Sequence, residues 1–386
     1  MKKINLIATA TFGLEAVVAH ELKNLGYENT RTENARVKFS GTYEDICKTN
    51  LWLRCADRVQ IEMGEFIATS FEELYQGVKA LPWEEWLPND AEFPVNGKSI
   101  NSTLFSVSDC QAITKKAIVD RLKTRYKLDW FPETGPLYKI EVALLKDVVT
   151  LTIDSSGAGL HKRGYRTLTA KAPIKETLAA AMVSLSYWKQ DRLLLDPLCG
   201  SGTIPIEAAM IGLNMAPGRK RKFAAEAWPQ ISPDLWMKAR TEAEDLIIRN
   251  SSMQILGSDI DSEVLNLARY HITQAGVEKN VFIQKIALQN IQSKRKYGCI
   301  ITNPPYGERI GDKQEAKDLA RDMGKLFKPL DTWSFYVITP DKDFEKHIGR
   351  RADKKRKLYN GRIECTFLQF YGPRPPLKRE EEVVEQ

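Results

Sequence analysis

The chain has 386 residues, 43% hydrophobic and 28% charged, which fits two or three folded domains and excludes a low-complexity polymer. Its 57 basic and 50 acidic residues leave a net charge of +7, which permits a nucleic-acid partner without demanding one. Six scattered cysteines form no CxxC pair and no His stands at ligand spacing, so no metal site is expected and a reducing, cytoplasmic setting fits.

The N-terminal "MKKINLIATATFGLEAVVAH" has the lysines and apolar run of a secretion signal, but Glu15 interrupts it. Gly13-Leu14-Glu15 reads instead as a strand-to-helix turn. No apolar run approaches the roughly 20 residues of a membrane span, so no membrane partner is expected. Within residues 1–65 the spacing predicts strand Ile4–Ala8, helix Leu14–Leu25, strands Thr30–Glu33 and Arg36–Phe39, helix Tyr43–Trp52 and strand Arg58–Phe66. That order, βαββαβ, describes a small ferredoxin-like unit.

Residues 66–157 open with a Ser70-x-x-Glu73 capping box. A second helix, Ser108–Tyr126, follows another serine cap, and "YKIEVALLKDVVTLTID" makes a hairpin around Lys146-Asp147. The block carries no His/Asp/Cys constellation and reads as a binding module. Residues 158–170, with "GLHKRGYR", form a basic linker.

From 171 to 372 apolar strands and helices alternate: helix Ile174–Tyr187, strand Arg192–Leu195, a helix from Thr203, strand Gln254–Gly257, helix Ser262–Gln274, strands Val281–Gln284 and Cys299–Thr302, helix Glu315–Leu326 and strand Trp333–Thr339. "KLYNGRIECTFLQF" closes the series as a hairpin with Asn360-Gly361 as a type I′ turn signal. This is the grammar of an α/β, doubly wound, mostly parallel sheet with an antiparallel last strand. Residues 373–386 are Pro-rich, then charged, and read as a disordered tail.

Three segments carry chemistry. In "LLLDPLCGSGTIPIEAA" a strand ends at Asp196 and a Gly200-Ser201-Gly202 loop leads into a helix, so a ligand can approach the backbone closely. Pro205 replaces the third glycine of a dinucleotide fingerprint, and an acid before the loop suits a cationic ligand better than a phosphate. In "ILGSDIDSEVLNLA" Asp259 closes a strand where it can take two ribose hydroxyls, while Asp261 or Ser262 caps the next helix. Between these acids lies an insertion, about Leu213 to Asn250. Its Arg219, Lys220, Arg221 and Lys222, beside Phe223 and Trp228, could grip a nucleic-acid backbone and stack a base, or form a solvated loop. In "YGCIITNPPYGERI" two prolines stop a strand at Asn303. The Asn303 amide and the Pro304 carbonyl offer two acceptors for an exocyclic amine, and Tyr306 can stack on the ring that bears it.

In this order, the acid and glycine loop, the second acid and NPPY resemble class I methyltransferases that use S-adenosylmethionine to modify amino nitrogens. "GLHKRGYR", "APIKETLAAA", "DPLCGSGTIPIEAA", "RKFAAEAW" and "NPPYGERIGD" resemble, more closely, bacterial THUMP-domain methyltransferases, whose members methylate N2 of guanine in large-subunit (23S) ribosomal RNA. The resemblance implies a ferredoxin-like part, a THUMP RNA-binding domain at 66–157 and a methyltransferase domain at 171–372. It implies that Asp196, Leu198, Cys199, Gly200, Gly202, Thr203, Asp259, Ile260 and Asn303 border the cofactor, and that Asn303, Pro304 and Tyr306 hold the target amine. RNA would meet His161, Lys162, Arg163, Tyr165, Arg166 and Arg219 to Lys222. One departure concerns adenine: family members often carry an acid after the third strand, but this chain has Ile286-Ala287, which shifts the role to backbone groups or to Gln289 or Asn290.

The same motifs admit an N6-adenine DNA methyltransferase, a tRNA guanine-N2 enzyme or methylation of a protein glutamine. A non-enzymatic RNA-binding assembly factor should have lost a loop glycine, the ribose acid or the asparagine, and all are present. The cluster Lys354–Lys357 could bind RNA or be a solvated face.

Overall fold

The structure, a computed structural model, describes residues 3–168, 174–306 and 312–376. The end of the expected linker, the residues following Tyr306 and most of the expected tail lie outside these. The chain divides into two compact units, residues 1–164 with 214–247 and residues 165–213 with 248 onward.

In the first unit the expected βαββαβ series is present: β1 (Ile4–Ala10), α1 (Glu15–Asn24), β2 (Arg31–Glu33), β3 (Arg36–Gly41), α2 (Tyr43–Trp52) and β4 (Ala56–Ile67). The strands are antiparallel in the order β2-β3-β1-β4. Then come α3 (Phe71–Ala80), β5 (Val95–Ile100), α4 (Val107–Tyr126), β6 (Ile140–Leu145) and β7 (Val148–Asp154). Ser70 and Glu73 form the expected reciprocal cap. At α4 the cap position falls on Ser106, whose hydroxyl faces that of Ser108 at 3.3 Å instead of capping the helix. Lys146 and Asp147 both have positive φ, 52° and 64°, as a type I′ hairpin requires.

The two N-terminal modules share one sheet. β4 is 12 residues long and pairs with β1 on one side and β7 on the other, giving the order β2-β3-β1-β4-β7-β6-β5. β5 escapes the sequence pattern because its VNGKSI run is polar and contains a glycine; it is an edge strand parallel to β6.

The chain next enters the second unit with α5 (Glu176–Ser184), β8 (Leu194–Asp196) and α6 (Thr203–Gly212), then returns to the first with α7 (Pro233–Asp245). The insertion therefore folds with the first unit, although it lies inside the 171–372 span expected to form the C-terminal domain. Its aromatic residues explain this. Trp228 is 1% exposed, stacks on Tyr138 with ring centroids 4.6 Å apart, and donates its Nε1–H to the Leu137 carbonyl at 3.0 Å. Phe223 is buried and stacks on Trp236 at 5.2 Å. Neither ring is free to stack a base, which corrects the expectation drawn from the sequence.

The second unit continues with β9 (Ile255–Asp259), α8 (Ser262–Ala275), β10 (Val281–Lys285), β11 (Cys299–Thr302), α9 (Asp312–Phe327), β12 (Ser334–Thr339), α10 (Phe344–Ile348), β13 (Lys354–Asn360) and β14 (Ile363–Phe370). The sheet order is β10-β9-β8-β11-β12-β14-β13. Strands β8 to β12 are parallel, and the central β8, β11 and β12 are buried throughout and read as largely apolar runs, whereas β10 at the edge is mostly exposed; β14 is antiparallel to β12, as the fold class requires. The hairpin turn differs from expectation. Asn360 pairs with Ile363, so the loop is Gly361-Arg362, and only Gly361 has positive φ (63°), the pattern of type II′. Lys354–Lys357 lies in edge strand β13, where Lys355 pairs with Glu345 and Lys357 with Glu364, a charged edge that resists strand addition.

Candidate active site

Strand order reverses beside β8. β9 and β10 lie to one side of it, β11 and β12 to the other, and such a switch point opens a crevice at the strands' carboxyl ends. Asp196, Asp259 and Asn303 stand at or just beyond the ends of three adjacent strands, β8, β9 and β11. Topology brings together residues that lie more than a hundred positions apart.

Asp196 is 1% exposed and accepts the Leu198 N–H at 3.2 Å. Burial raises its carboxyl to about 7; Thr302 and the Leu198 N–H oppose the rise, and Asp259 adds to it. The Thr302 hydroxyl lies beside Asp196 without reaching full hydrogen-bond geometry, so burial wins. Asp259 is only half-buried. Its Oδ2 accepts the Gly200 N–H at 3.0 Å and its Oδ1 the Asp261 N–H at 3.1 Å. The second acid thus braces the glycine loop of the first, with further lone pairs open to a ligand. Asp261 caps α8 through the N–H groups of Glu263 and Val264, the role expected of it or of Ser262. Ile260, next to Asp259, is 67% exposed.

Gly200 has φ +49°, and a Cβ built on it would meet nothing within 4 Å, so the loop presents open backbone there. Cys199 is buried, its N–H bound to the Ser258 carbonyl at 2.9 Å, and its thiol is pushed up by burial, which makes it a packing residue. Leu198 packs against the core on the α9 side of the sheet, and Thr203 is buried at the start of α6.

At the end of β11, Asn303 is half-buried, Pro304 buried and Tyr306 half-buried. The Tyr306 hydroxyl donates to Asn303 Oδ1 at 2.6 Å. Two residues of the terminal hairpin reach the same phenol: Asn360 Nδ2 at 3.1 Å and Cys365 Sγ at 3.7 Å. Reading the sequence missed both, because no motif joins the hairpin to NPPY across more than fifty residues. His271 was missed too. It is buried, with Nδ1 3.2 Å from the Ser201 carbonyl of the glycine loop and Nε2 3.2 Å from that of Leu168. Of the expected adenine substitutes, Gln289 donates to Asp322 at 2.7 Å, whereas Asn290 and Ile286 line a cavity of about 360 Å³ with Ser258, Phe282 and Gln284.

The basic residues separate into two groups. Arg221 is 9% exposed, and its guanidinium donates to the carbonyls of Gly159 (2.6 Å), Lys162 (3.2 Å), Ser156 (3.2 Å) and Ala158; burial lowers its pKa to about 10. Arg163 is buried and donates to the carbonyls of Leu160 (2.6 Å) and Arg54 (2.5 Å). Tyr165 is buried with its hydroxyl on Glu207 at 3.1 Å, and Arg166 binds Glu176 at 3.2 Å, the Ile174 carbonyl at 3.1 Å and the Thr203 hydroxyl. These four are structural ties and leave the set of RNA contacts expected from the sequence. Lys162, Lys220 and Lys222 are exposed, His161 is half-buried, and Arg219 pairs with Glu244 at 3.3 Å.

Among the described residues no cluster of three or more His, Cys, Asp or Glu could hold a metal, and no helix is long and apolar enough to cross a membrane.

Comparison with known proteins bears directly on this arrangement. Residues 163–369 match an RMKL-like methyltransferase domain, residues 5–60 an RlmL ferredoxin-like domain and residues 68–154 a THUMP domain. The chain is 47% identical over 384 residues to YpsC of Bacillus subtilis (strain 168), named as a candidate RNA methyltransferase; the match covers 99% of this chain and 100% of that one. It is 34% identical over 386 residues to the ribosomal RNA large subunit methyltransferase K/L of Psychromonas ingrahamii, spanning 96% of this chain but only 51% of that protein. Among solved structures, SMU.472, a candidate methyltransferase in complex with SAH, is 47% identical with a TM-score of 0.92 over 97% of this chain and 100% of that one. A Listeria monocytogenes protein described as a candidate N6-adenine-specific DNA methylase is 50% identical, with a TM-score of 0.93 over 97% of each chain.

Proposed function

The chain belongs to the RMKL-like methyltransferase family, and on that premise we propose that it methylates N2 of a guanine in large-subunit ribosomal RNA, with S-adenosylmethionine as cofactor. The observation that carries the reading is the juxtaposition of Asp196, Asp259 and Asn303 at three neighbouring strand ends, with the Tyr306 phenol on the Asn303 amide.

The residues fit the cofactor. The open backbone at Gly200 admits a ligand, Asp259 has lone pairs for ribose hydroxyls, Ile260 offers apolar surface to adenine, and the Asp196 carboxylate favours a cation. Leu198, Cys199, Gly202 and Thr203 shape the loop around it. When bound, S-adenosylmethionine supplies an electrophilic methyl group on a sulfonium. The chain's part is to present the nucleophile. Asn303 Oδ1 and the Pro304 carbonyl each accept one N–H of the guanine amine, which aims its lone pair out of the ring plane, and Tyr306 covers the base. A neutral amide orients the amine without removing its proton, so the proton leaves after the N–C bond has formed.

The first unit contributes RNA affinity through its THUMP domain and the exposed Lys162, Lys220 and Lys222, with His161 and Arg219 beside them. This reading keeps residues 158–170 as the passage between units and 171–372, less the insertion, as the catalytic region. The name of the K/L relatives supports ribosomal RNA as substrate, and this chain spans about half of their length.

The test compares modified nucleosides from a deletion strain and its parent. We expect loss of one N2-methylguanosine from 23S ribosomal RNA. Loss of N6-methyladenine from DNA alone would overturn the proposal.

A further inference from the structure

The contacts around Tyr306 have a direction. An amide nitrogen only donates hydrogen bonds, an amide oxygen only accepts them, and a phenol carries a single O–H hydrogen. Asn360 Nδ2 donates to Tyr306 Oη at 3.1 Å, and the Cys365 thiol approaches the same oxygen at 3.7 Å. With donors on its oxygen, the phenol directs its hydrogen to Asn303, 2.6 Å away. The group receiving it must be the amide oxygen. Asn303 therefore holds Oδ1, not Nδ2, toward the phenol, and that oxygen keeps a second lone pair for another donor.

We propose that Asn360 is a positioning residue for methyl transfer, acting through Tyr306 to fix which atom of the Asn303 amide meets the target amine. This rests on the amine-clamp reading above and extends it. An asparagine side chain can turn over with little change of shape. Turned over, Asn303 would set its own N–H groups against those of the incoming amine, and the clamp would repel its substrate. If Asn360 presented its oxygen instead, the phenol would donate there and accept from Asn303 Nδ2, so the two amides reverse together.

The fold explains why the control sits so far away in sequence. Asn360 is the last residue of β13, paired with Ile363 across a two-residue turn, and Cys365 lies two residues into β14 from that pair. β14 pairs with β12, and β12 with β11, which ends at Thr302, the residue before Asn303. The antiparallel hairpin thus returns a donor to the end of the parallel sheet on backbone fixed by strand pairing. A loop residue would hold the phenol less firmly.

The test uses the full chain, S-adenosylmethionine and large-subunit ribosomal RNA purified from a deletion strain. Asn360→Asp removes the donor and supplies an acceptor, so it should reverse the relay; Tyr306→Phe keeps the ring and deletes the hydroxyl. We expect kcat to fall on the order of 100-fold for Asn360→Asp and about 10-fold for Tyr306→Phe, the scale of a misplaced reacting group. KM for RNA, cofactor affinity by calorimetry and melting temperature should stay near those of the parent. In a Tyr306→Phe background, Asn360→Asp should cost little more, because the hydrogen-bond link between the two amides is already broken. The proposal is overturned if Tyr306→Phe keeps the parental kcat, or if the two substitutions multiply as independent effects. Should Asn360→Asp lower the melting temperature, the Tyr306→Phe result decides. A parent protein that methylates no RNA would sink the substrate assignment itself, and the relay with it.

Discussion

The strand-end site and the basic segments both stand out in the sequence, yet the structure uses them differently. Asp196, Asp259 and Asn303 meet at the crevice because parallel strands carry their carboxyl ends to one edge of the sheet. Arg163 and Arg221 belong to runs that look equally functional, and both are buried against backbone carbonyls. A strand end specifies a place, whereas a run of charge specifies only a composition. Arginine suits the interior role because its planar fork can satisfy several carbonyls at once, while the neighbouring Lys162, Lys220 and Lys222 are exposed.

The largest test of this contrast is Asn303→Ala. It should lower the methyl-transfer rate by about 10²–10³-fold, as loss of a positioned polar group does, with cofactor affinity unchanged in calorimetry. A parental rate would show that the strand end does not orient the amine. Asp259→Ala comes next, with S-adenosylmethionine binding weaker by roughly 10–100-fold, since a charge-assisted hydrogen-bond acceptor and the brace on Gly200 are lost together.

The basic segment offers a paired test. Arg221→Ala should cost about 3 kcal/mol in denaturant unfolding, because several buried carbonyls lose a charged donor. Lys222→Ala should leave the unfolding midpoint in place and weaken RNA binding, reducing the slope of log affinity against log salt by about 1. If the two results were exchanged, the division into inner arginines and outer lysines would be wrong.

The smallest effect is that of pH on Asp196. Its folded value of about 7 lies above the ordinary 3.8, so the folded chain holds a proton that the unfolded chain has released. Its contribution to stability therefore falls as pH rises from about 4 to about 7 and is flat above that. A cationic cofactor favours the carboxylate, so binding should strengthen as pH rises toward 7 and release protons below it. Calorimetry in two buffers of different ionisation enthalpy measures that release, and its absence would remove Asp196 from the cofactor's charge environment.

Much of this was legible in the residues themselves. The apolar runs of β8 and β11, the glycine loop, the Asp261 cap and the Lys146-Asp147 turn all report local rules, and local rules can be read from a window of sequence. Long-range events could not be read that way. Trp228 looks like a base-stacking ring beside basic residues until Tyr138, ninety positions earlier, covers it. β5 is polar enough to pass for a loop until β6 pairs with it. Asn360 signalled a turn, and it does adjoin one, but its side chain serves Tyr306. In each case the deciding partner lies outside any window that periodicity can scan.

The insertion bears on how the protein is made. The core of the first unit includes Phe223, Trp228 and Trp236, and α7 holds Glu44 of α2 through Lys238 at 2.7 Å. A nascent chain therefore cannot complete its N-terminal half until residue 247 has emerged, by which time β8 and α6 are outside as well. β8 must then wait for β9 and β11, both still to be synthesised. Neither half can finish while the other is still to begin, so N-terminal-first folding, domain by domain, gives way to an interleaved order. Ribosome-arrested chains from which only residues up to about 210 have emerged should leave the first unit open to protease, and those from which residue 250 has emerged should protect it.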